Sequence, residues 1–337
     1  MLRIQHPTIE GLGVRLSRLL LVCGAVVPLV FLAACSSAKT GEQANALDDI
    51  TVGGTFKAPK VTFKTMPVTV TATTTRVISP GKGAKLTTAN SIMFSYAVFN
   101  GKNGKQISTN FGNEMVPMDL SSTEIMTGLR KGLTGQQVGS RVLVATPPAD
   151  SYGVTGYAKA GLGPTDTIVF LIDLVSASTP LAKVGGIAIQ PVPGLPTAIV
   201  DGVKPALITV PKMPPPTKLV VQPLIQGQGA AVRSGQVIKV NYTGVLWKDG
   251  KTFDASGDAR AGAPDGGPVD VQIGTGKVIA GWDKGLVGRT VGSRVLLIVP
   301  PADGYGAKGS PPIGAEGSPP IGAKDTPVFV VEILSST

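Results

Sequence analysis

This chain of 337 residues has one histidine, two cysteines, few aromatic residues (5%) and few charged ones (15%). The histidine, His6, and one cysteine, Cys23, fall in the first 34 residues, beside Arg3, Arg15, Arg18 and an apolar run over residues 19–34. A basic start, an apolar stretch and a small-residue exit form the pattern of a secretory signal. The run is also shorter than the ~20 residues that span a bilayer. The expected mature chain therefore begins at Cys35, lacks histidine and carries a single thiol. Histidine bases, cysteine nucleophiles and Cys/His zinc sites are excluded for it, and so is an internal disulfide. A basic stripe interleaved with aromatics is missing as well, because lysine and arginine are scattered. The net charge of +10 thus predicts solubility and loose attraction to anionic envelope polymers, and no nucleic-acid partner.

Leu32, Ala33 and Ala34 before Cys35 resemble a bacterial lipobox, in which the cysteine is joined to diacylglycerol and becomes the mature N-terminus. That resemblance implies an extracytoplasmic protein, lipid-anchored through Cys35 to a bacterial cell membrane. Residues 1–34 are then a cleaved lipoprotein signal peptide, and residues 35–58 a polar tether.

What the sequence does have is a long internal repeat. Residues 278–306, VIAGWDKGLVGRTVGSRVLLIVPPADGYG, return in altered form at residues 125–153, IMTGLRKGLTGQQVGSRVLVATPPADSYG, with Tyr152 and Tyr305 at the same place. Residues 71–107 match 217–253, and residues 116–152 match 269–305 with seven extra residues in the later copy, which fall in GDARAGAPDGGP at 257–268. That composition marks a loop. Each copy exceeds a hundred residues, which suits a globular domain and not a solenoid unit. The expected organisation is a first, degenerate domain at 59–177, a Pro- and Gly-rich linker at 178–204 and a second domain at 205–337.

The second copy reads mostly as strand. Ile238, Val240, Tyr242 and Leu246 alternate on one face, and Asp249-Gly250 turns the chain back toward Phe253. Residues 294–299 and 328–334 are two more strands, the former stopped by Pro300 and Pro301. Ile279, Trp282 and Leu286 keep helical spacing up to Gly288, so a short helix is expected. Antiparallel strands on one short helix make an α+β domain. PKMPPP at 211–216 reads as a stiff lead-in to the first strand.

In this order, VNYTGVL (240–246), KDGKTFDAS (248–256), VIAGWDKGLVG (278–288), GYG (304–306) and VFVVEIL (328–334) resemble the FKBP-type peptidyl-prolyl isomerases, the immunophilins that bind macrolide immunosuppressants. The resemblance implies two tandem FKBP-like domains, each a twisted antiparallel sheet wrapped around a short helix with a pocket between them. Tyr242, Phe253, Trp282 and Phe329 would line a prolyl pocket with Val278, and Trp282 would form its floor. The backbone N–H of Ile279 and the Tyr305 hydroxyl would bond substrate carbonyls, and Asp254 would face the reacting amide. Val269 stands where the family usually has a second Phe, and Arg260 matches the family's pocket Arg only with a one-residue slip. GSPPIGAE at 309–316 is followed by GSPPIGAK at 317–324, so either Ile313 or Ile321 is the apolar contact of the overhanging loop.

The implied activity is cis–trans isomerisation of X-Pro bonds in unfolded or secreted polypeptides, open to macrolide inhibitors and needing no cofactor or metal. The first copy keeps Tyr96, Tyr152 and Phe170 but has Ile107, Ser108 and Leu129 where the second has Phe253, Asp254 and Trp282, so it is expected to be weakly active or non-catalytic. The alternative for the whole protein is a peptide-binding chaperone or adaptor lipoprotein.

Overall fold

The computed structural model describes residues 45–201, 205–258, 266–314 and 317–337. Cys35, the apolar run before it and Arg260 lie outside the described residues. Those residues belong to one compact unit, Ala44–Thr337, in which the repeat of the sequence becomes a repeat of architecture.

The first half begins with a hairpin, β1 (Ile50–Gly54) and β2 (Pro59–Phe63), followed by β3 (Thr74–Ser79), β4 (Ser91–Asn100), β5 (Gln106–Thr109) and β6 (Val116–Asp119). A seven-residue helix, α1 (Thr127–Leu133), precedes β7 (Arg141–Thr146) and β8 (Ile168–Ser178). These strands form a six-stranded sheet in the order β3-β7-β8-β4-β5, with β6 on β4. The second half begins with β9 (Gly186–Ala188) and a second hairpin, β10 (Thr197–Ile199) and β11 (Leu207–Thr209). It continues through β12 (Val220–Gly227), β13 (Val237–Leu246), β14 (Thr252–Ala255), β15 (Val269–Gln272), α2 (Ala280–Leu286), β16 (Arg294–Ile298) and β17 (Pro327–Ser336). Its sheet runs β14-β13-β17-β16-β12-β9, with β15 on β13. The strand pairings are antiparallel.

The alternation expected in β13 places Ile238, Val240 and Leu246 in one buried cluster with Trp282 and Leu286 of α2. The opposite parity of the same strand enters a second cluster. Val245, with Trp247 just beyond the strand, packs with Leu296, Ile298, Val328 and Val330 against Ala206 and Ile208. Both faces of the sheet are therefore covered, one by the helix and the other by the β10–β11 hairpin. The first half repeats this scheme: Leu47 and Ile50 are wholly buried against Phe99, Leu143, Val169 and Leu171. The stretch at 178–204, expected to be a linker, thus contains β9 and β10, and the expected tether contains β1. The lead-in at 211–216 is fixed by the Trp247 indole, which donates to the Met213 carbonyl at 2.8 Å.

Two glycines let α2 lie directly on β16. A Cβ on Gly281 would approach Val299 to 2.6 Å, and one on Gly285 would approach Leu297 to 2.6 Å. Gly288, at φ +84°, reverses the chain after the helix.

Candidate active site

Between α2, β13, β15 and β17 of the second half lies a cavity of about 430 Å³. Its lining includes Tyr242, Asp254, Val278, Ile279, Trp282, Tyr305 and Phe329, which are seven of the eight residues expected there. The indole of Trp282 is packed edge-to-face with Tyr242 at 5.2 Å and with Phe329 at 5.5 Å. Such edge contacts fix ring orientations as well as burying area. Phe253 is the eighth residue. It is fully buried and stands behind the wall, edge-on to Phe329 at 5.5 Å and to Tyr305 at 6.5 Å. Its place in the assembly is to prop those two rings.

Sequence reasoning missed Val271 and Lys277, which complete the lining with Val269. Val269 and Val271 are two apart on β15 and so face the same way, a signal that was present. Lys277 precedes the helix and had none.

Polar groups interrupt this apolar lining. The Tyr242 hydroxyl donates to the Asp254 carboxylate. Burial pushes the Tyr305 phenol up to about 12, and the negative charge of Asp254 adds to the rise. Tyr305 accordingly stays a neutral donor throughout the physiological range. Ile279, with φ −60° and ψ 147°, opens α2, where N–H groups have no preceding turn to bond. Among the described residues no group of three or more His, Cys, Asp or Glu side chains is placed to hold a metal ion.

The two copies of the duplicated loop differ in burial, and neither isoleucine is in the lining of the cavity. Ile321 is buried in the core and its backbone pairs with Ser310 in both directions, at 2.8 and 2.9 Å, whereas Ile313 is exposed. In the first half Leu162 and Tyr157 pair in the same way.

The first half lacks the aromatic enclosure. Leu129 and Ile107 join a cluster with Tyr96 and Phe170, but Tyr152 is turned outward, 43% exposed, and stacks on Tyr157 at 5.0 Å.

The profile of the family described as "FKBP-type peptidyl-prolyl cis-trans isomerase" matches residues 83–175 and again residues 229–334, together more than half of the chain. The chain belongs to the FKBP-type peptidyl-prolyl cis-trans isomerases. Both repeats carry the FKBP fold. An FK506-binding protein of Streptomyces anulatus is 38% identical over 96 residues, covering 28% of this chain and 73% of that one. A probable FK506-binding protein of Corynebacterium glutamicum is 35% identical over 129 residues, covering 38% of this chain and 96% of that one. The peptidyl-prolyl cis-trans isomerase FKBP2 of Mus musculus is 42% identical over 80 residues, covering 24% of this chain and 52% of that one.

Proposed function

We propose that the second repeat is the working isomerase of an extracytoplasmic lipoprotein, tethered through Cys35, that turns X-Pro bonds in unfolded or secreted polypeptides. The observation that carries this reading is the cavity walled by Tyr242, Trp282, Tyr305 and Phe329. Rotation about a peptide bond must overcome about 18–20 kcal/mol because resonance is lost, and uncatalysed X-Pro exchange takes tens to hundreds of seconds. A twisted amide is less polar than a planar one, so an apolar, water-poor hollow disfavours the planar ground state relative to the twisted one. Phenol and backbone N–H groups of the lining hold the flanking carbonyls while the prolyl ring sits on the indole. Asp254, tied to Tyr242, faces the reacting amide. The pocket is also the place where a macrolide inhibitor would compete.

The lining of the first repeat supports a division of labour. With Leu129 for the indole, Ser108 for the carboxylate and Tyr152 turned away, it is weakly active or non-catalytic and binds unfolded chains or positions the second repeat.

The test is acceleration of cis–trans exchange in a proline tetrapeptide by residues 35–337. Tyr305→Phe removes one hydrogen bond and should lower kcat/KM about three- to tenfold, equivalent to about 1 kcal/mol. Trp282→Leu, which installs the residue of the first repeat, should lower it further. Because Tyr305 keeps its proton, the rate should show no limb from it up to about pH 10. Absence of turnover, or indifference to both substitutions, would favour the chaperone or adaptor reading.

A further inference from the structure

The second repeat builds the wall of the cavity, but the first repeat reaches one of its residues. Lys277 lines it, and its ammonium is ion-paired with Glu114 of the first repeat. Each partner stands on a fixed piece of backbone. Asn110, a buried residue, accepts from the Tyr96 N–H at 2.6 Å and donates to the Glu114 carbonyl at 2.9 Å, which fixes the short loop at 111–115. On the other side, the Asp283 carboxylate of α2 accepts from Gly274 N–H at 2.6 Å and Gly276 N–H at 2.8 Å, fixing the turn that ends at Lys277. A second contact lies close by. Asp119, at the end of β6, is 3.1 Å from the Lys239 ammonium, which is also 3.1 Å from Asp270 on β15. Asp270 sits between Val269 and Val271 of the pocket wall. The loop that presents Glu114 is the first repeat's short counterpart of the seven-residue-longer loop at 257–268.

We propose that Glu114 is a specificity-determining residue for the pocket of the second repeat: by neutralising Lys277 it sets which charges are accepted beside the proline. The inference rests on the isomerase reading above. A peptide whose prolyl ring fills this cavity must lay its neighbouring residues past the wall that carries Lys277. With the ion pair intact, that wall presents little net charge. Without Glu114 it presents one positive charge, and without Lys277 one negative charge.

The experiment measures kcat/KM of residues 35–337 at low salt on peptides that differ only in the residue before proline, glutamate or lysine. The ratio of the two rates does not depend on the fraction of folded enzyme. Glu114→Gln should raise the glutamate-to-lysine ratio about fivefold, since one unmatched charge roughly 8 Å away through water changes each rate about twofold in opposite directions. Lys277→Gln should lower the ratio by a similar factor, and the double substitution should restore the wild-type value. Both single-substitution shifts should vanish near 1 M salt, where screening acts over about 3 Å. If the peptides are turned over but Glu114→Gln leaves the ratio where it was, this inference is wrong and the isomerase reading stands. If the wild-type chain turns over neither peptide, both fall.

Discussion

Gly244 decides how much aromatic volume the pocket can hold. It lies on β13 between Asp254 and Phe329, and a Cβ there would meet the Phe253 ring at 2.6 Å and the Phe329 ring at 3.0 Å. The first repeat has Val98 at this position, between Ser108 and Phe170, and it has Ile107 where the second has Phe253. The two substitutions compensate each other: a smaller side chain at 107 leaves room for a larger one at 98. Gly244→Val alone should therefore destabilise the protein by about 1–3 kcal/mol through overpacking. Combined with Phe253→Ile it should recover most of that loss, a coupling that urea unfolding of the single and double variants would measure. Isomerase activity should stay low in the double variant, because the ring behind Tyr305 and Phe329 is gone. Additive losses of stability would mean that the two positions do not share one space.

At the scale of elements, the hairpins are what composition concealed. Three-residue strands such as Thr197–Ile199 and Leu207–Thr209 sit in Pro- and Gly-rich surroundings and carry too few residues for an alternation to register. A different signal did point to them. VFVVEIL in β17 and IVFLIDL in β8 run almost without polar interruption, and a strand with no alternation is buried on both faces. One face was assigned to the helix, so the other required a cover. The helix, its glycine stop and the main strands were legible because their periods and turn residues are local. Phe253 was read as lining and is backing, since strand parity says which face a ring takes but not how deep it lies. Lys277 was invisible because its partner belongs to the other repeat. A fragment of residues 180–337 should accordingly melt higher than one of residues 205–337, which loses β9, β10 and the partly buried Leu195, Ala198 and Val200. That loss is on the order of 2 kcal/mol of apolar burial, or about 5 °C or more. Equal melting temperatures by calorimetry would show the hairpin to be dispensable.

At the scale of the whole molecule, the duplication has placed two copies of one fold so that charges of the first adjoin the aromatic pocket of the second. Lys239, 8% exposed at its side chain, is shared by Asp119 and Asp270, and the two carboxylates do not contribute alike. Burial pushes the Asp119 carboxyl up, but the hydroxyl and N–H of Ser121 and the Lys239 ammonium outweigh it and hold the group below its ordinary range. For Asp270 burial prevails over the attraction of Lys239, with Asp119 adding repulsion, and the group is raised. A lowered carboxylate stabilises the fold above its unfolded value, and that contribution is lost as pH falls through the folded one. A raised carboxylate does the reverse: its ionised form is disfavoured in the native state at neutral pH, and acid relieves the penalty. Asp119→Asn should therefore lower the melting temperature at pH 7, whereas Asp270→Asn, which leaves Lys239 its partner across the repeats, should leave it unchanged or raise it. The deficit of Asp119→Asn should be smaller at about pH 3, below the unfolded carboxylate value of ~3.9, because the contribution is lost as pH falls toward the folded value. Thermal unfolding of both variants at the two pH values decides the matter, and a larger loss for Asp270→Asn than for Asp119→Asn at pH 7 would place the stabilising contact within the second repeat and not between the two.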